Sequence, residues 1–225
     1  IDRQGNSLLH LVSKYGTDAD LVDAVFGSAT EEQKEIFLQQ TNEDGYNALY
    51  IAGQRSQDPN IITRLLAWGF ETESKSGSWN PLKKDLITQP LHLAASRTDG
   101  WAGPAMLRLL AGEADAFAQD ENGNTALHIL MKDENTWASD IGLILEVQKW
   151  QMSLFRSKIP EIKNLDNETA LSLAALNRDE YSLFNELLVY GADPDNVDKE
   201  GWTPLLIYSQ RGSDPDIFGS LLEFS

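Results

Sequence analysis

The sequence predicts an all-α protein assembled from a repeated helix-pair unit, and three observations carry that prediction. One is a phrase that recurs along the chain. In Asp120-Glu-Asn-Gly-Asn-Thr-Ala-Leu-His-Ile-Leu130, an Asn-Gly turn able to take positive φ leads into a threonine placed as a helix N-cap. The second is its tandem copies: Asp2-Arg-Gln-Gly-Asn-Ser-Leu-Leu-His10, residues 42–50, 164–172 and 198–206, with a sixth, 89–95, that keeps the helix start without the turn. The third is spacing. The leucine shared by all six (Leu9, Leu49, Leu91, Leu127, Leu171, Leu205) recurs at steps of 40, 42, 36, 44 and 34 residues.

Taken in order, the first unit (1–41) offers a helix holding Leu8, Leu9, Leu11 and Val12 and a second holding Leu21, Val22, Val25 and Phe26. Thr30-Glu-Glu-Gln33 then reads as a capping box for a short extra helix ending near Gln40. The second unit (42–83) has a longer loop at Asp58-Pro59 and a helix through Ile61, Ile62, Leu65 and Leu66, closed by Gly69. From Phe70 to Gln89 the pattern breaks, and the Pro, Gly and Ser of 74–81 mark a loop. The third unit (84–119) carries a second loop at Asp99-Gly-Trp-Ala-Gly-Pro104. In the fourth (120–163), Ile141, Ile144, Leu145, Gln148 and Met152 fall at helical spacing, predicting an extended or doubled helix stopped by Pro160. The fifth (164–197) and sixth (198–225) are nearly regular, and the sixth reads as truncated because no polar closing helix follows Phe224. A start at Ile1, directly on a repeat boundary, reads as an excised piece of something longer.

These residues resemble the ankyrin repeat, whose pattern runs D-x-x-G-x-T-P-L-H-x-A-A and later L-L-x-x-G-A-D. The second half is present as residues 65–71 and most fully as Leu187-Leu-Val-Tyr-Gly-Ala-Asp193. The resemblance implies an ankyrin-repeat solenoid with short hairpin or loop fingers, here one array over 1–225. A period of about 33 in that family means that nearly every unit of this chain carries an insertion. Three departures stand out. Lys84 and Ile87 replace the turn Asp and Gly of the third copy, Glu113 sits where a helix-ending glycine belongs, and Asn167 replaces a turn glycine while tolerating the same left-handed conformation.

Charge and composition limit the chemistry. A net charge of −17 and a pI near 4.4 argue against nucleic acid or an anionic membrane as partner and are compatible with a basic protein surface. Without cysteine there are no disulfides, thiolate-held zinc or thiol catalysis, and no apolar run reaches membrane-spanning length. His10, His92 and His128 occupy one slot of the repeat, roughly 10 Å apart per unit in a stacked array and so too far apart to share a metal. In the family that slot bonds to backbone and to the turn of an adjacent unit. The acidic run 193–200 fails as a calcium loop, because its fifth, sixth and twelfth positions are Val197, Asp198 and Pro204. No phosphate-cradling glycine motif or nucleophile elbow appears, so no catalytic, cofactor or metal residue is assigned.

Recognition is therefore the expected function. The resemblance places partner contacts at the two positions that follow the turn Asp, at the one between the turn Gly and the cap Thr, and at the two that follow the Ala-Ala pair. Carried over, the helix positions are Lys14 and Tyr15, Gln54 and Arg55, Ser96 and Arg97, Lys132 and Asp133, Leu176 and Asn177, and Gln210 and Arg211. Tyr15, Tyr46, Arg55, Arg97, Trp202 and Arg211 are the leading candidates because Tyr, Trp and Arg supply most binding hot spots, and Lys132, at a carried-over helix position, and Trp79, in the loop insertion, join them. The reading is a non-enzymatic adaptor, scaffold or regulatory module, a cytoplasmic monomeric array that binds another protein. Its alternatives are a bacterial secreted effector acting on host proteins, an enzyme grown on the 137–162 insertion, and a plain spacer.

Overall fold

A computed structural model describes residues 1–72, 89–132, 141, 142, 144, 145 and 162–224. The chain divides into two compact units, Ile1–Asp115 and Ala116–Ser225. Among the described residues there are helices and turns and no strand.

In the first unit, α1 (Leu8–Tyr15), α4 (Ala48–Arg55) and α6 (Pro90–Ala95) lie side by side as one layer. Behind them α2 (Asp20–Gly27), α5 (Asn60–Ala67) and α7 (Ala102–Ala111) form a second, each paired with the first-layer helix preceding it in its repeat. The expected extra helix is α3 (Glu31–Gln39), and its capping box is complete: Gln33 N–H donates to Thr30 Oγ1 at 3.3 Å and Thr30 N–H donates to Gln33 Oε1 at 2.9 Å. Phe26 of α2 is fully buried, stacked on Trp68 at the end of α5 at 4.9 Å and met edge-on by Phe37 of α3 and by Phe70. Burial of a side chain of that size contributes about 1.5–3 kcal/mol. The third repeat differs from its expectation in one respect. Gly103 and Pro104 belong to the first turn of α7, where proline's missing N–H has no intrahelical acceptor to lose, so the loop is shorter than its composition suggests.

The second unit repeats the scheme. Its first layer is α8 (Ala126–Lys132), α9 (Ala170–Asn177) and α11 (Pro204–Ser209), and its second contains α10 (Tyr181–Val189) and α12 (Pro215–Glu223). The sixth repeat thus has both of its helices. Residues 141, 142, 144 and 145 are also helical, with Ile141, Ile144 and Leu145 fully buried, while the rest of the expected long helix and its stop at Pro160 lie outside the described residues. So do the 74–81 loop and the Lys84 and Ile87 departures.

The fingers before the first-layer helices share one construction. Asp2, Asn42, Asp120, Asn164 and Asp198 each use a single side-chain oxygen, Oδ1, to accept backbone N–H groups two and four residues on, at 2.8–3.0 Å. The turn needs one left-handed residue, and Asn167 at φ 58° fills that position where the other copies use glycine. Glu113 is also left-handed, at φ 64°, while Gly112 beside it is not, so this helix end places the strain on the residue with the side chain. Successive fingers are tied by backbone: Glu43 N–H to Gln4 O at 3.0 Å, Leu165 N–H to Asn122 O at 2.9 Å and Lys199 N–H to Asp166 O at 3.3 Å.

Candidate functional site

The C-terminal ends of α1 and α4, and the loop after α6, border a cleft of about 480 Å³ in the first unit. Lys14 and Tyr15 come from α1, Gln54 and Arg55 from α4 and Ser96 and Arg97 from just past α6, with Gln57, Thr98 and Asp99 completing the lining. Sequence register explains the convergence. In each repeat these are the two positions following the apolar face of the first-layer helix, and side-by-side helices bring equivalent positions together. The α4–α6 approach is close enough that a Cβ on Gly53 would lie 2.9 Å from the Pro90 carbonyl oxygen.

The side chains lining the cleft differ in availability. Tyr15 is 59% exposed, with the Lys14 ammonium 4.9 Å from its ring centroid. Arg55 is exposed and touches only its neighbour, Nε donating to Gln54 Oε1 at 3.3 Å. Arg97 departs from the sequence expectation: its side chain is 2% exposed and its donors are spent inside the protein. It donates to Ser56 O at 2.6 Å, to Gly53 O at 3.3 Å and to Ala52 O at 3.4 Å, and it grips Asp99 through both carboxylate oxygens at 3.0 and 2.8 Å. A helix leaves its last carbonyls unpaired, and Arg97 supplies the donors for α4 from the neighbouring repeat. Burial pushes the Asp99 carboxyl up, but the Arg97 hydrogen bonds and the Trp101 N–H outweigh it and hold the group below its ordinary range. Loop-level placement of Asp99 was the missing signal, since a spacing of two residues in a loop does not reveal a bidentate pair.

The remaining candidates are spread along the chain. Tyr46 is half-buried and stacked on Tyr50 at 5.7 Å, and its carbonyl accepts from His10. In the second unit Trp202 is 39% exposed on its finger, and Lys132 and Arg211 are exposed. Trp101 is exposed at the start of α7, and Trp79 lies outside the described residues.

The histidines are structural parts. His10 Nδ1 accepts from Ser7 N–H at 3.2 Å and lies 2.7 Å from Ser7 Oγ, leaving Nε2–H to donate to Tyr46 O in the next finger at 2.9 Å. His128 does the same with Thr125 and with Glu168 O at 3.1 Å. The imidazole therefore takes the place of Glu in a capping box, and the Thr125 hydroxyl turns to the ring instead of accepting a backbone N–H as its sequence context suggests. Burial lowers the pKa of both rings. Among the described residues no group of three or more His, Cys, Asp or Glu side chains could hold a metal ion. The 193–200 run folds as turns, Asp193 accepting from Asp195 N–H and Asp198 building its finger.

Comparison with known proteins bears on the fold. The family model described as Ankyrin repeat matches residues 166–199. An ankyrin repeat domain from Acinetobacter baumannii AYE superposes with a TM-score of 0.68 over 96% of each chain, at 20% identity. The fold is that of an ankyrin-repeat protein. No curated protein sequence matches the chain. Ankyrin repeats generally serve as protein–protein interaction modules, and the cleft is lined by the ankyrin positions that follow the Ala-Ala pair in three successive repeats. No helix of the described residues is long and apolar enough to cross a membrane.

Proposed function

We propose that this ankyrin-repeat chain is a non-enzymatic adaptor or regulatory module that binds a protein partner at the first-unit cleft. The observation behind the reading is the gathering of Lys14, Tyr15, Gln54, Arg55 and Ser96 around one opening of about 480 Å³. Their fold-forming duties are few. Tyr15 and Arg55 face solvent, and the adjacent helix end is already satisfied by Arg97. Exposed aromatic and guanidinium groups side by side are the residue types that dominate binding energy. The reading takes residues 1–225 as one intracellular, monomeric array, with Tyr46, Lys132, Trp202, Arg211 and Trp79 as outlying contacts.

The test is affinity capture from cell lysate with quantitative mass spectrometry, comparing the wild-type chain with a Tyr15→Ala/Arg55→Ala variant whose circular dichroism is unchanged. Proteins retained by the first and lost by the second support the cleft. Equal retention by both refutes it as the contact surface.

A further inference from the structure

The cleft carries a sign opposite to that of the chain. Overall there are 35 acidic and 18 basic residues, yet the lining holds Lys14, Arg55, Arg97 and a single acid, Asp99. The Arg97–Asp99 pair is closed on itself, which leaves two uncompensated cations. Among the described residues neither Lys14 nor Arg55 has a carboxylate within 4.0 Å.

A duty at the helix ends does not explain both cations. Lys14 and Arg55 stand in the last turns of α1 and α4, where positive charge is favourable. At α4, however, the carbonyls of Ala52, Gly53 and Ser56 are already bonded by Arg97, so Arg55 is not needed there. Its guanidinium remains a planar, solvent-facing fork of the kind that takes a carboxylate through two parallel bonds.

We propose that the cleft receives a short acidic segment of a partner protein, with Asp or Glu carboxylates paired to Arg55 and Lys14 and a neighbouring apolar side chain on the exposed face of Tyr15. This deepens the proposed function and rests on it. The surrounding charge of −17 shapes the ligand further. A long acidic tract is repelled wherever it leaves the cleft, so the favoured segment has two or three carboxylates flanked by neutral or basic residues.

A random peptide library displayed on phage and selected on the immobilised full chain tests this, followed by fluorescence anisotropy with the most enriched peptide. The expected winners carry a compact Asp/Glu cluster beside an apolar residue. Lys14→Gln and Arg55→Gln each weaken that peptide by about tenfold or more, the scale of one charge-assisted hydrogen bond. Arg64→Gln/Arg108→Gln, made at exposed cations of the second layer outside the cleft lining, leaves its affinity unchanged, and raising salt from about 50 to about 500 mM weakens it. Enriched peptides that are neutral or basic overturn the acidic-segment proposal while leaving a binding module intact. Acidic winners indifferent to both Gln variants overturn it too. A selection that enriches nothing overturns the binding-module reading and this proposal together.

Discussion

Replacing Arg97 with alanine is expected to destabilise the first unit by about 3 kcal/mol, a figure built from its hydrogen bonds. The bond to Ser56 O at 2.6 Å is short and charge-assisted, and contributes about 1.5–3 kcal/mol. The bonds to Gly53 O and Ala52 O, at 3.3 and 3.4 Å, are long and add only fractions of that. Asp99 is 53% exposed and remains hydrated after truncation, so the ion pair itself is discounted to about 0–1 kcal/mol. Arg97→Lys restores a charge but not the fork, and should recover less than half of the loss. Urea unfolding followed by tryptophan fluorescence measures both. A loss below about 1 kcal/mol for Arg97→Ala refutes the reasoning, because such values belong to exposed side chains.

Four further perturbations follow from the same geometry. Burial holds the pKa of His10 and His128 below the ordinary 6.5, so unfolding binds protons below that pH, and stability is complete above it and declines as pH falls beneath it. Denaturation midpoints measured across that window should lose this acid slope in His10→Gln/His128→Gln. Glu113→Gly should stabilise by about 0.5 kcal/mol in thermal unfolding, relieving a left-handed φ of 64° against glycine's entropy, and Asn167→Gly should gain less because asparagine tolerates that region. Gly53→Ala should cost about 1–3 kcal/mol in urea titration, since its Cβ meets the Pro90 carbonyl at 2.9 Å and that oxygen belongs to backbone. Tyr208→Phe should cost about 1–2 kcal/mol by the same assay, because the buried phenol donates to Asp179 and accepts from Asp214 N–H at 3.2 Å.

The elements legible in the sequence were those governed by neighbours along the chain. Fingers and caps depend on groups two to four residues apart, so Asp2, Asn42, Thr30 and the Asn167 turn all declared themselves. The cleft was legible through register, which places Lys14, Gln54 and Ser96 at equivalent positions of successive repeats. What stayed hidden depends on groups far apart in sequence. Arg97 meets Ser56 across 41 residues, and its inward turn changed an expected contact residue into a structural clamp. Net charge was a coarse guide for a related reason: −17 summed over the chain is compatible with a basic partner surface, but a sum says nothing about which side chains share an opening.

The ties between fingers bear on how the folded chain breathes. Loop amides ordinarily exchange with solvent first, since nothing holds them. Those of Glu43, Leu165 and Lys199 sit in loops, but each is bonded to a carbonyl of the preceding finger. Deuterium can reach them only when one repeat parts from its predecessor, and so their exchange rates gauge the seam between repeats, independently of the melting of either helix pair.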